Sequence, residues 1–214
     1  MQNSDKTLLK HHRKLLGVLC ALLAPLCLLF GLFGWNTNNP EWYYSISATY
    51  YTNSQMLMIG LLVSTSVYFF SYRGYDFLDR LLTTLSAISA LGIVAFPCKC
   101  AGCPDFVGLF SIPSGVSHII HSVFAAVLFT SFALMILIQF TKGKDNPTPQ
   151  KLKRDRVYRI CGWTIVAFEL SQAVTALVGI RWFTVINEAV MLLAFSVAWL
   201  VKGEAFKALN DVEA

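Results

Sequence analysis

The chain has 214 residues, 56% of them hydrophobic and only 14% charged, with a mean hydropathy of +0.58. This composition excludes an ordinary soluble domain and a disordered chain, and it points to a membrane protein. A net charge of +5 could suggest nucleic acid, but the basic residues fall where membrane topology and anionic headgroups account for them.

A bilayer-spanning helix needs about 20 mainly apolar residues. Six runs meet that need, at about 15–34, 54–71, 81–96, 114–140, 157–180 and 182–201. They predict an all-α fold, a single integral membrane bundle of six transmembrane helices occupying residues 1–214. If the first run crosses outward, 15 of the 17 lysines and arginines lie on the inner side, and only Lys99 and Arg181 lie outside. The positive-inside rule then places both termini in the cytoplasm of a multi-pass cell-membrane protein.

In chain order, the basic stretch before residue 15 and the leucine-rich run after it resemble a secretory signal. The run is too long for one and shows no cleavage site, so it is read as an uncleaved span. Gly17, Cys20, Ala24, Cys27, Gly31 and Gly34 form a seam of small residues on one face, suited to close helix packing. Pro25 predicts a kink.

The outer loop 36–53 has no lysine or arginine. Trp35, Trp42, Tyr43, Tyr44, Tyr50 and Tyr51 suit an interfacial aromatic belt. Glu41, Ser45, Ser47 and Thr49 suggest instead a lid over an outward cavity. Ser64, Thr65 and Ser66 offer hydroxyls to a neighbouring helix or to their own backbone. The turn 72–80 is a short inner hairpin, and the third run puts Thr83, Ser86 and Ala90 on one face and stops at Pro97.

The next outer loop contains Cys98, Cys100 and Cys103, which predict a disulfide between Cys103 and either Cys98 or Cys100. An unpaired or metal-bound cluster and a redox pair are the other readings, although a second C-x-x-C to complete a tetrahedral site is lacking. Ser114 is a candidate N-cap for the fourth run, where His118 and His121 share a face at i and i+3. Residues 141–150 read as a linker, and the basic segment 151–159 leads into the fifth run. That run carries Glu169 about halfway across, then Gln172 and Thr175. The sixth begins after Arg181 and Trp182 and carries Asn187 and Glu188.

Ionisable side chains in a membrane are costly and mark functional sites. His118, His121, Glu169, Gln172, Arg181, Asn187 and Glu188 all fall in the outer half, and the inner half reads as nearly bare. This predicts one outward-facing polar pocket if the helices bearing these residues are neighbours. Three readings follow. The pocket binds a lipid headgroup; or His118, His121 and Glu188 hold zinc for intramembrane hydrolysis of a lipid; or the residues satisfy one another. The H-x-x-H pair lacks the glutamate of H-E-x-x-H, so a zincin is not indicated. A proton relay through Glu169 finds no inverted repeat to support it.

The order of Ser45–Thr52, the turn Tyr72–Asp76, His118 with His121, Arg156-Val157-Tyr158-Arg159 with Gly162, and Trp199–Gly203 resembles small six-span bacterial membrane proteins of unknown function. More loosely, the layout is similar to the damage-regulated autophagy modulator group, which implies a role in lipid and membrane homeostasis. A remoter likeness is to the alkaline ceramidase and adiponectin receptor superfamily, seven-span hydrolases with an additional histidine site, whereas this chain has six runs and two membrane histidines. The expectation is lipid-associated binding or membrane homeostasis without a cofactor, with membrane lipids as partners. The alternative is the zinc-dependent hydrolase.

Overall fold

The computed structural model describes residues 3–33, 42–72, 74, 76–143 and 146–211, with backbone only for residues 3–6. Gly34, Trp35 and Glu41, singled out above, lie outside these residues, as do residues 36–40 of the outer loop and parts of the turn 72–80 and the linker 141–150.

The described residues are almost entirely helical. The six helices are α1 (Asn3–Phe33), α2 (Gln55–Ser71), α3 (Phe77–Ala95), α4 (Ser114–Leu134, continued by a π-wound turn Met135–Phe140), α5 (Pro149–Val178) and α6 (Phe183–Lys202). Five of them, all but α2, are long and apolar enough to cross a membrane. The helices pack in a closed ring, each against the next and α6 back against α1. The start of α1 and the end of α6 therefore lie at one end, here called the base, where Lys10 pairs with Glu204 at 2.7 Å. The other end is the mouth.

Local chemistry sets the helix boundaries. Asp76 caps α3 by accepting from the Asp79 amide at 2.9 Å, and Thr148 caps α5 by accepting from Lys151 at 3.1 Å. Gly179 ends α5 with φ +76, a left-handed cap that glycine adopts without a Cβ clash. Pro25 sits inside a helix that runs on to Phe33. Between α3 and α4 a two-residue antiparallel hairpin, β1 (Phe106–Val107) with β2 (Ile112–Pro113), was not foreseen from the sequence. Its turn begins at Gly108 (φ +76), where a Cβ would lie 2.4 Å from the Ala95 carbonyl oxygen.

Packing is densest toward the base. Phe132 and Phe195 stack at 3.6 Å, and Phe69, Tyr72, Phe140 and Trp199 close around them edge-on or tilted. The α1 seam does what its spacing implies: Cys20, Ala24 and Cys27 are buried. A Cβ on Gly17 would lie 2.8 Å from Leu200 of α6, and one on Gly31 would lie 2.9 Å from Trp42.

Toward the mouth, the chain between α1 and α2 does not stay outside. It forms two 3₁₀ turns, Trp42–Tyr44 and Ser47–Tyr51, and the second enters the ring. Ala48, Thr49 and Ser54 are completely buried. Ser54 Oγ donates to the Cys27 carbonyl at 2.6 Å, although α1 rises six residues further, to Phe33. The start of α2 thus lies about 9 Å below the top of α1. That recess explains why α2 is only 17 residues long. Irregular backbone at such depth survives only when protein surrounds it, as here.

The base is not bare of charge. Arg13 and Asp79 are 7% and 1% exposed, because α1 and α3 begin earlier than their apolar runs and carry these residues inside. Arg13 donates to the Tyr72 hydroxyl at 3.2 Å and lies over its ring. Arg13, Asp79, Lys151 and Asp155 all act electrostatically on Lys202. The expectation of a nearly uncharged inner half is therefore corrected: a mixed-charge cluster closes the base.

Candidate functional site

The seven polar residues expected in one pocket sit in five places. Glu188 of α6 points into the ring and clasps the re-entrant segment. Its carboxylate accepts from Ser45 Oγ at 3.0 Å, from the Ile46 amide at 2.6 Å and from Ser47 Oγ at 3.2 Å. This satisfies a carboxylate that hydrocarbon alone would not tolerate. Beneath the clasp is a cavity of about 50 Å³, walled by Ser47, Glu188, Met58, Leu62 and Phe129. The lid residues Ser45, Ser47 and Thr49 thus form a plug seated in the ring.

His121 is buried, and its Nδ1 bonds to the Phe96 carbonyl at 2.8 Å. Ser117 beside it donates to the Pro97 carbonyl at 2.8 Å. Both stitch α4 to carbonyls left open where Pro97 ends α3. Asn187 and Gln172 do meet: Asn187 Nδ2 donates to Gln172 Oε1 at 3.0 Å, with Ser171 and Thr184 completing a polar seam between α5 and α6. His118, His121 and Glu188 are not assembled as a ligand set. Among the described residues no three His, Cys, Asp or Glu side chains lie close enough to hold a metal ion.

The cysteine loop packs on the plug. Cys98 and Cys100 are buried with Ala48, and the Cys100 amide donates to Cys103 Sγ at 3.5 Å. No disulfide joins the three in this structure. Tyr44 and Tyr51 donate to the carbonyls of Lys99 and Cys98 at 2.9 and 2.7 Å. Burial pushes both hydroxyls well above the usual tyrosine range; Arg181 nearby works against this at Tyr44.

His118 and Glu169 mark a different feature. Along α4, Phe140, Ile136, Ala133, Phe129, Ala126, Ser122 and His118 follow one another in steps of three and four, a single stripe. Its first four members are buried, and Phe140 meets Tyr158 of α5 at 5.4 Å. A Cβ on Gly162 of α5 would lie 2.4 Å from Leu137, so the two helices nearly touch there. Yet Ala126, Ser122 and His118, on the same stripe toward the mouth, are exposed.

Helix α5 shows the same change. Tyr158 and Ile165 are buried on its inward face. Ala176, within about 20° of that face by helical spacing, is exposed, as is Ala173. The two helices therefore meet at the base and part toward the mouth, leaving a lateral cleft. Glu169 and Thr130 span its floor, Thr130 Oγ1 donating to Glu169 Oε1 at 2.8 Å.

Above the cleft lies the α5–α6 turn. Gly179, Ile180, Arg181 and Trp182, with Tyr43 and Tyr44, line an open cavity of about 400 Å³. The cleft was not legible from sequence, since nothing in it tells which helix faces which. Its one trace is the recurrence of small and polar residues at steps of four, His118, Ser122, Ala126 and Thr130, along one line of α4. Compared with known proteins, the chain matches no family model, no curated protein and no solved structure.

Proposed function

We propose that this chain is a six-span integral protein of the cell membrane, with both termini cytoplasmic and the mouth outside, and that it binds lipid in the α4–α5 cleft. Helix α2 crosses despite its 17 residues, the lower end of the spanning range, because the buried plug completes its wall. The charge asymmetry supports the orientation.

One observation carries the lipid reading. A stripe of α4 and a face of α5 that are buried near the base become exposed near the mouth, in helices whose outward faces are exposed and largely apolar. A gap between spanning helices fills with whatever the bilayer supplies, and an amphipathic molecule is what the outer leaflet supplies. The walls suit one: Ala126, Ala173 and Ala176 leave room for a chain, while His118, Ser122, Thr130 and Glu169 offer hydrogen bonds. The role is binding and membrane homeostasis; no step of covalent chemistry is part of the reading.

Native mass spectrometry of protein extracted in mild detergent tests this. The expected result is about one retained lipid per chain. Ser122→Trp and Ala173→Trp, which fill the cleft, should each abolish retention. Val174→Trp, at a position 57% exposed and about 160° around the helix from Ala176, should leave it intact. Equal retention in all four proteins would refute the cleft as the site.

A further inference from the structure

The two basic residues assigned to the outer side, Lys99 and Arg181, are 82 positions apart in sequence. In the structure both border the upper edge of the α4–α5 cleft: Ser117, next to His118, holds the Pro97 carbonyl two residues before Lys99, and Tyr44, which bonds the Lys99 carbonyl, lines one cavity with Arg181. They come from different loops. Lys99 is held there because its carbonyl accepts from Tyr44 and its neighbour Cys98 is buried against the plug. Arg181 is held by the short turn after Gly179 and helps to line the cavity of about 400 Å³.

Both side chains are exposed, and neither forms an ion pair among the described residues. Among the described residues the acids toward the mouth pair with neither: Glu188 is committed to the plug, Glu169 takes the Thr130 hydroxyl at the cleft floor, and Asp105 forms no ion pair. Tyr43 and Trp182, 57% and 56% exposed, flank the cavity with rings of the type that sit at headgroup level.

We infer that this edge is a phosphate-binding site that selects an anionic phospholipid, its headgroup at Lys99 and Arg181 and an acyl chain in the cleft below. The inference rests on the cleft reading and adds charge selectivity to it. A phosphate satisfies two cations without a carboxylate beside them, and the hydrogen-bond donors of Arg181 suit its oxygens. Below the edge, Ala126, Ala173 and Ala176 offer no cation to a second anionic group, so the cleft suits an acyl chain. The same chemistry could come from free phosphate, and the experiment separates the two.

The test measures lipid exchange from nanodiscs of phosphatidylcholine with and without phosphatidylglycerol, read by native mass spectrometry. Wild type should prefer phosphatidylglycerol. Lys99→Gln and Arg181→Gln should each reduce that preference by about fivefold, from about 1 kcal/mol per basic residue near the surface. Arg181→Lys should restore most of it. Inorganic phosphate at millimolar concentration should not displace the lipid. Lipid bound without preference for phosphatidylglycerol would overturn the selectivity and leave the cleft standing. Displacement by inorganic phosphate alone would assign the site to free phosphate and overturn the lipid headgroup. If no lipid binds, the cleft reading itself fails, and charge selectivity falls with it.

Discussion

At the scale of single residues, Glu188 shows how a carboxylate is kept inside a membrane bundle. It is surrounded by donors from one short segment: two serine hydroxyls and a backbone amide. Removing it leaves those buried donors without an acceptor, which is more damaging than losing an apolar contact of equal size. Glu188→Ala should lower stability by about 3 kcal/mol and unseat the plug. The check is thermal unfolding together with thiol labelling of Ser47→Cys, protected with Glu188 present and reactive without it. The residue was legible in the sequence as a costly intramembrane acid. Its partner was half legible: Ser45 and Ser47 were read as a lid, but not as donors to Glu188. His121 misled for the opposite reason. A buried histidine with one backbone partner looks, in sequence, the same as a metal ligand.

At the scale of elements, caps and close approaches place the helices. Asp76 stands at the start of α3 and gathers the Lys142 ammonium at 2.5 Å, the Asp79 amide and Gln139. The Lys142 bond, followed by the Asp79 amide, holds its carboxyl below the ordinary value of 3.8. A depressed folded value means that the unfolded chain takes up the proton first as the solution is acidified. The stabilisation is therefore present above about pH 4 and disappears as pH falls through the folded value. Melting curves should show wild type above Asp76→Asn from pH 5 to 7, with the gap closing near pH 3. A gap that persists unchanged at pH 3 would contradict this role. Helix existence was legible from apolar runs of the right length. Helix starts were not: α1 and α3 extend beyond their apolar runs with charged turns, and hydropathy cannot see a charge that will be buried against another. Arg13 and Asp79 are the cost of that blindness.

For the whole molecule, the ring order decides what depth alone could not. The sequence puts His118 and Glu188 at a similar depth with Glu169 beneath them, and so suggested one pocket. The ring instead turns Glu188 inward to the plug and leaves His118 and Glu169 at the parted seam between α4 and α5. Neighbour relations come from packing details such as Gly162 under Leu137 and Phe140 against Tyr158, which no periodicity announces. The central claim is that this seam opens sideways into the bilayer. A phospholipid carrying a photoreactive group on its acyl chain, reconstituted with the protein and mapped by peptide mass spectrometry, tests it most directly. The account predicts adducts at Ala173 and Ala176 of α5 and at Ser122 and Ala126 of α4, besides those on outward residues such as Leu170 and Val174. Adducts confined to the outward residues, with Ala176 untouched, would show the seam closed and contradict the account.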